Sequence, residues 1–408
     1  MIESQSRRPA QMVGEGSAQA VAHERVRRRT IVVVDDAVVA RAEHLLGDFV
    51  GRHTVTGPTT LADAASLART VVATRAERIL AIGGGNVIDL AKLAAIVASR
   101  AGAVEFLGAR SGARGFVVLP ALGYVPVEVQ CVPTTFGTGA EVSSVACVEQ
   151  TVAGRAWTGA DPVAVKTLVA LPWSPVSAVA YDSVFLDGPP WLVREGLFEA
   201  AARLITTAVG ARSRIRVADA QLDALLGCLA QMTELARGTS FRPSPELVVD
   251  MAVASAETHV GWALRGRGVA PSLPWFLSNE LSMAARVRKN VAMAVVMPAW
   301  AESVRRGNVL WGDRSRLEHL DGVIRRASCY EGCDELLDGA APLDRDLGLW
   351  PADSARLAAR TYARFGAGWP IARAVAQADI ESLFQCALGG VTVPGPGAPV
   401  ASTAGQYR

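Results

Sequence analysis

Several features that mark large protein classes are missing from this chain of 408 residues. Its six cysteines, Cys131, Cys147, Cys228, Cys329, Cys333 and Cys386, include no CxxC pair. The nearest two, Cys329 and Cys333, have no neighbouring His or Cys to complete a zinc site. Cysteines this scattered argue against a disulfide framework and point to a reducing, cytoplasmic compartment. An excess of one charge is missing too. Against 41 Lys and Arg stand 39 Asp and Glu, a net charge of +2, without the basic surplus that phosphate neutralisation demands, so no nucleic-acid partner is expected. No uncharged apolar run reaches the roughly 18–20 residues of a membrane span. The best approach, residues 115–127, contains two prolines, and the first 25 residues hold no apolar core of a signal peptide. The chain is read as neither membrane-bound nor exported.

What is present is enough apolar material, 50% of residues, to bury a large core. At roughly 100–200 residues per domain, the length suggests two domains. Heavy use of Ala and Arg with few Lys is the pattern of a GC-rich bacterial genome. Residues 1–27 read as a polar, flexible arm. Its basic run at 24–29 is most plainly a solvated lead-in to a strand, with a docking patch for an acidic partner as the other reading.

An alternating pattern follows. Residues 30–36 (TIVVVDD) form a β-branched run ending in carboxylates, read as a buried parallel strand. Residues 37–50 have helical spacing, 53–57 a short strand, 60–75 a helix, 78–82 a strand and 86–99 a helix; further strands are expected at 127–132 and 179–182. This predicts an α/β, doubly wound parallel-sheet (Rossmann-like) domain over 28–188, with right-handed crossovers. From Pro190 the period is helical: 192–209, 219–237, 246–264, 280–304, 315–326, 354–364 and 371–387. An all-α domain is therefore expected over 189–390. Residues 266–274 read as a loop over the cleft and 391–408 as a flexible tail rich in Gly and Pro. The sequence contains no internal repeat.

Two motifs carry chemistry. The first is Gly83-Gly84-Gly85-Asn86-Val87-Ile88-Asp89, directly after a strand. Three glycines let backbone approach a ligand closely, and the following helix N-terminus offers N–H groups and a dipole to a pyrophosphate. Asn86 is expected as N-cap, with Asp89 three residues on completing a capping box. The plainer alternative is a tight turn without a ligand. The second motif is Pro133-Thr134-Thr135-Phe136-Gly137-Thr138-Gly139-Ala140-Glu141-Val142, again after a strand. It offers hydroxyls and amides to a cofactor; alone it would pass for a polar loop.

Together these motifs resemble the iron-containing alcohol dehydrogenase family, relatives of dehydroquinate synthase and glycerol dehydrogenase. That family carries GGGSxxDxAK and PTTxGTGSEV, which read here GGGNVIDLAK and PTTFGTGAEV. The likeness extends over roughly 30–300, including LDGPPWLVREGL at 186–197. It implies an N-terminal NAD(P)-binding domain, a helical catalytic domain and a cleft between them. Asp35, Gly83, Gly84, Gly85, Asn86, Asp89, Thr134, Thr135 and Thr138 are the implied cofactor-binding residues. A carboxylate at Asp35 would repel a 2′-phosphate, so NAD is expected over NADP.

The resemblance breaks at the family's metal site, an Asp-xxx-His on the first helix and two later histidines. Aligned on Gly196 the first pair falls on Phe198 and Ala202; aligned on Pro189-Pro190, on Glu199 and Arg203. The later pattern falls on Trp275, Asn279 and Lys289-Asn290. The only histidines in residues 190–408 are His259 and His319, so no bound metal is expected. Lys289, Arg203 and Asn279 are candidate catalytic residues in its stead, with His259 a candidate proton shuttle. The plain readings stay open: Arg288 and Lys289 as solvated helix charges, His259 as a packed histidine, Glu199 and Arg203 as an i,i+4 ion pair. In overall character the chain also looks like the dehydrogenases of daptide biosynthesis, diverged relatives of the family. That implies oxidation of the C-terminal threonine of a precursor peptide, followed by decarboxylation. The other readings are reduction of a small aldehyde, oxidation of a polyol, or a non-catalytic NAD-binding subunit. The expected partners are a small molecule or peptide C-terminus as substrate, a second copy in a homo-oligomer, and a biosynthetic partner protein.

Overall fold

The computed structural model describes residues 8–23, 29–45, 49–120, 127–153, 162–267, 272–366 and 375–389. Among the described residues nine strands lie in the first half: β1 (Ala10–Val13), β2 (Thr30–Asp35), β3 (Gly51–Val55), β4 (Arg78–Gly83), β5 (Phe116–Val118), β6 (Glu128–Pro133), β7 (Val145–Val152), β8 (Val163–Ala170) and β9 (Val176–Tyr181). The helices interleaved with them are α1 (Ser17–His23), α2 (Val39–Ala42), α3 (Leu61–Thr74), α4 (Gly85–Ala98), α5 (Ala103–Ser111) and α6 (Ser183–Leu186). After Pro189 the described residues are helical: α7 (Pro190–Gly210), α8 (Arg216–Gly238), α9 (Pro245–Val260), α10 (Leu273–Ala285), α11 (Lys289–Arg305), α12 (Arg314–Ala327), α13 (Cys333–Ala340), α14 (Ser354–Phe365) and α15 (Gln377–Gly389). None of these helices is long and apolar enough to cross a membrane.

The main sheet runs β1-β9-β6-β4-β2-β3, with every pair parallel. Its inner strands β2 and β4 are buried on both faces because helices cover both. On β2, Ile31 and Val33 face one core cluster while Val32 and Val34 face the other. The chain leaves β2 for the edge strand β3, then returns to place β4 on β2's other side. That reversal opens a crevice at the carboxyl ends of β2 and β4, where Asp35 and Gly83 sit.

Several expectations need correction. Residues 10–23 are not a free arm: β1 pairs with β9, and Ala18 and Val21 of α1 are buried in the sheet's second core. Residues 24–28 of the basic run and the 391–408 tail lie outside the described residues, as do 268–271 of the 266–274 loop. Among the described residues of 37–50, the helical spacing yields the short α2 between two 3-10 turns. The pattern at 280–304 is two helices, because Arg286 takes a left-handed conformation, φ 57°, and turns the chain between α10 and α11. A second sheet, β5-β8-β7, also lies beyond the expected alternation. It is tied to the helical half by buried charge: Glu280 of α10 accepts from Arg364 (2.9 Å) and Arg360 (2.5 Å) of α14, and Arg364 reaches the Lys166 carbonyl of β8 (2.9 Å).

Asp89 and Lys92 of α4 are scaffold. Lys92 has no exposed surface, donates to the carbonyls of Ala140 (2.7 Å) and Val145 (2.5 Å), and pairs with Asp89 at 3.0 Å. Asp89 Oδ2 accepts from the Cys147 amide at 2.9 Å, so its oxygens are spent inside the protein rather than on a cofactor. Asp89→Ala strands the Lys92 ammonium in the interior. It should cost about 3–5 kcal/mol of unfolding free energy. Removing the exposed partner in the Arg314–Glu318 pair should cost about 0.5 kcal/mol or less. Urea unfolding of the two variants checks this; equal losses would contradict it.

Candidate active site

The glycine cradle stands at the carboxyl end of β4. Helix α4 starts at Gly85 with Gly84 as N-cap, and no side chain caps it. The expected capping box is therefore absent. Asn86 lies inside the first turn, its carbonyl accepting from Thr59 Oγ1 at 2.6 Å, so the leading N–H groups are left without a side-chain acceptor. A side chain is excluded at Gly83 and would be tightly crowded at Gly84 and Gly85. A Cβ on Gly83 would come within 2.6 Å of Val87 Cγ2, one on Gly84 within 3.1 Å of Thr135 Oγ1, and one on Gly85 within 3.1 Å of Thr138 Oγ1. Thr134 donates its amide to the Gly83 carbonyl at 3.2 Å, joining the two motif loops. Asp35 is beside them: a Gly83 Cβ would stand 3.1 Å from Asp35 Cβ. One Asp35 oxygen accepts from the Ala37 amide at 3.1 Å. An uncapped helix start, a cradle with little room for side chains and a neighbouring carboxylate fit a dinucleotide.

The opposite side of the same loop faces the helical half. Gly137 (φ 104°) and Gly139 (φ 57°) occupy the left-handed region, and neither has room for a side chain. A Cβ on Gly137 would meet Glu199 Oε2 at 3.3 Å, and one on Gly139 would overlap the His259 ring. The Gly137 amide donates to Ser255 Oγ at 2.8 Å. Its carbonyl accepts from Arg203 Nη1 at 3.0 Å and from His259 Nε2 at 3.1 Å, which fixes the hydrogen on that nitrogen. Arg203 also donates to Thr258 Oγ1 at 3.2 Å.

At the centre lies Glu199, buried on α7. It accepts from Lys289 Nζ at 2.8 Å, Arg203 Nη2 at 3.2 Å and Asn290 Nδ2 at 3.2 Å. Burial opposes its ionisation, but Lys289 and Arg203 outweigh that and hold the carboxyl below its usual range. Burial lowers Lys289 from an ordinary lysine, Glu199 opposing, and brings Arg203 down to about 10. Burial, and then Arg203, push His259 well below an ordinary imidazole, so it is neutral. The Trp275 indole carries both cations: Lys289 Nζ lies 3.9 Å and Arg203 Cζ 4.6 Å from its ring centroid.

Lys289, Arg203 and His259 are thus brought together. Neither cation is a solvated charge; both hold one carboxylate. His259 is bonded through Nε2 to the Gly137 backbone carbonyl. Asn279 is not in the group: it is buried one turn along α10 and donates to the Lys166 carbonyl at 3.2 Å. Arg288 turns away to grip Glu195 (2.6 Å for the shortest contact) over the Trp191 ring. Sequence reasoning gave no role to Trp275, Asn290, Ser255 or Thr258. The i, i+3, i+4 spacing of Ser255, Thr258 and His259 on α9 was an available sign that they share a face.

A divalent cation does not fit this donor set. Two cations occupy its surroundings, the carboxylate is taken by three donors, and the remaining positions hold an indole and amides. Among the described residues no three His, Cys, Asp or Glu gather as a metal-holding group.

Comparison with known proteins agrees with this geometry on fold. Residues 9–171 match the family described as iron-containing alcohol dehydrogenase. A phosphonoacetaldehyde reductase of Streptomyces viridochromogenes is 45% identical over 89 residues, which is 21% of this chain and 22% of that relative's length. NADH-dependent butanol dehydrogenase A of Thermotoga maritima superposes with a TM-score of 0.69 at 16% identity, covering 93% of this chain and 97% of its own. An iron-containing alcohol dehydrogenase of Corynebacterium glutamicum gives 0.67 at 15%, over 93% and 95%. Maleylacetate reductase of Agrobacterium tumefaciens gives 0.66 at 19%, over 95% and 98%. Residues 9–171 thus match the iron-containing alcohol dehydrogenase family, and the chain shares the fold of these solved structures across both its halves.

Proposed function

We propose that the chain is an NAD-dependent oxidoreductase that interconverts an alcohol and its carbonyl at the Glu199–Arg203–Lys289 cluster without a divalent metal. The observation that carries this reading is the buried ion cluster of Glu199, Arg203 and Lys289, across one loop from the glycine cradle. A bound nicotinamide would supply the hydride acceptor or donor. Gly83, Gly84 and Gly85 admit its pyrophosphate to the amides of α4, Thr135 and Thr138 line the same cradle, and Asp35 disfavours a 2′-phosphate. With His259 neutral, the two cations and the one carboxylate bonded to them sum to +1, while burial raises the nearby Glu141 carboxyl above its usual range and so disfavours its negative charge. Positive charge in a dry cleft favours an alkoxide over an alcohol, the electrostatic work a metal otherwise does. Lys289 keeps N–H donors beyond the one given to Glu199 and is 24% exposed, so it can meet a substrate oxygen. During oxidation Lys289 and Arg203 hold the oxygen's charge while its proton leaves to water.

For the substrate we take the C-terminal threonine of a peptide, supported by the likeness to daptide dehydrogenases. Oxidation at its Cβ gives a β-keto acid. The bond to the carboxylate then breaks, CO2 leaves, and the electron pair passes to the ketone oxygen as an enolate, which the same +1 charge stabilises. Protonation at carbon gives an aminoketone. The second reading, reduction of a small aldehyde, is favoured by the match to a phosphonoacetaldehyde reductase. A cofactor-binding subunit without turnover is the third, suggested by the missing metal ligands.

Two experiments test the proposal. In the first, NAD and NADP are titrated by calorimetry. Gly84→Val overfills the cradle and should weaken NAD by about 10- to 100-fold, the equivalent of roughly 1–3 kcal/mol of overpacking. Asp35→Ala should narrow the preference for NAD over NADP. Unchanged NAD affinity in Gly84→Val, or a wild type that binds both cofactors alike, would contradict these roles. In the second, hydride transfer is followed at 340 nm with threonine-terminated peptides and small aldehydes as separate substrates. Lys289→Met should lower turnover by about 100- to 1,000-fold while NAD affinity stays within about threefold. Turnover that survives this change removes Lys289 from the chemistry, and a wild type with no turnover supports the non-catalytic reading.

A further inference from the structure

We propose that Trp275 is the positioning residue of Lys289: its indole holds the ammonium charged and aimed into the cleft. This rests on the metal-free reading above. Lys289 is the first residue of α11, and its side chain lies across the first turn of α10, with Nζ 3.9 Å from the Trp275 ring centroid. The turn that presents the indole is tied to the helix bearing the carboxylate. The Trp275 amide donates to the Ser272 carbonyl at 3.3 Å, and Ser272 Oγ donates to Thr206 Oγ1 of α7 at 2.6 Å. Trp275, Glu199 and Arg203 are thereby held in one frame around the ammonium.

Charge counting shows why an aromatic face is needed. The groups facing Lys289 are Glu199 and Arg203 of α7, His259 of α9 and Cys147 of β7. His259 is neutral, and burial pushes the Cys147 thiol up to about 12, so it carries no charge near neutrality. Glu199 is thus the one carboxylate bonded to Lys289 among the described residues, and it is shared with Arg203. A single anion between two desolvated cations leaves the more exposed one, Lys289, inclined to lose its proton. The electron-rich ring offsets this without adding an anion that would cancel the +1 charge. A second carboxylate at position 275 would neutralise the cluster, whereas an indole steadies the cation and leaves its field in place.

The sign of the effect follows. Burial already places Lys289 below an ordinary lysine. Removing the ring withdraws support from the charged form and lowers it further. Activity that needs the ammonium is lost as pH rises through that value, so the alkaline limb must move to lower pH.

Only three lysines, Lys92, Lys166 and Lys289, occur in the chain, and Lys92 is fully buried, so Lys289 can be followed individually. The full-length protein is labelled briefly with acetic anhydride across a pH series, and modification of Lys289 is read by peptide mass spectrometry. Trp275→Leu should lower the labelling midpoint by about 1 pH unit and move the alkaline limb of turnover by the same amount. Trp275→Phe keeps a ring and should restore most of both. A midpoint that stays in place in Trp275→Leu and Trp275→Phe, both folded by circular dichroism, overturns the inference even where turnover drops, since a packing role predicts that pattern. The two readings fail separately. If the midpoint follows residue 275 but Lys289→Met leaves turnover intact, the proposed chemistry is wrong and the Trp–Lys coupling stands. If Lys289→Met abolishes turnover with a fixed midpoint, the chemistry stands and Trp275 is only a wall.

Discussion

The buried carboxylate of Glu199 is the constraint around which the cleft is built. An ion taken out of water must be repaid by partners at good geometry, and losing one partner leaves an uncompensated charge. Glu199 draws Lys289 and Asn290 from the start of α11 and Arg203 from one turn along its own helix. Arg203 cannot then move freely, because its other nitrogen is bonded to the Gly137 carbonyl and Thr258 Oγ1. The position of the loop 134–139 is therefore set partly by a side chain of the helical half, and that loop lines the cradle on its other side.

The same physics recurs inside the sheet half. Lys92 and Asp89 are buried, paired and bonded to backbone of residues 140–147, so the far end of the same motif is pinned from α4. Between the two anchors the glycines at 137 and 139 permit close approach of Glu199 and His259, while the threonines at 135 and 138 pack on Gly84 and Gly85. One short loop thus faces the glycine cradle on one side and the Glu199 cluster on the other. Displacement of either ion cluster disturbs both.

What could be read from the sequence follows from where its signals are local. Strands β2 and β4 are continuous buried runs, and α4 follows a glycine triplet, so the crevice holding Asp35 and Gly83 was legible before any coordinates. β1 was not, because four mostly exposed residues on a sheet edge carry no apolar pattern. β7 and β8 alternate irregularly and pair across a long connection. The break at Arg286 lacks the Gly or Pro that normally announces a left-handed residue. The N-cap was misplaced by two residues because a glycine can cap without a side chain to betray it. In the cluster, Lys289 and Arg203 were singled out because the family resemblance aligns metal-ligand positions on or beside them. Their dependence on Trp275 and Asn290, and the commitment of His259 to Gly137, arise from tertiary contacts between residues far apart in the chain. Asn279 shares a helix with Trp275 yet serves the second sheet.

The central claim is that a protein-borne cation does the work of a metal in this cleft. Lys289 and a divalent ion would repel each other by several kcal/mol at close range with an effective dielectric near ~20, so the two are alternatives rather than partners. Metal content measured together with turnover decides between them. Protein prepared with iron and zinc supplied, dialysed and assayed for hydride transfer should contain well under one metal per chain and keep its turnover in the presence of a strong chelator. About one iron or zinc per chain, with turnover lost on chelation and restored by the same metal, would contradict the account.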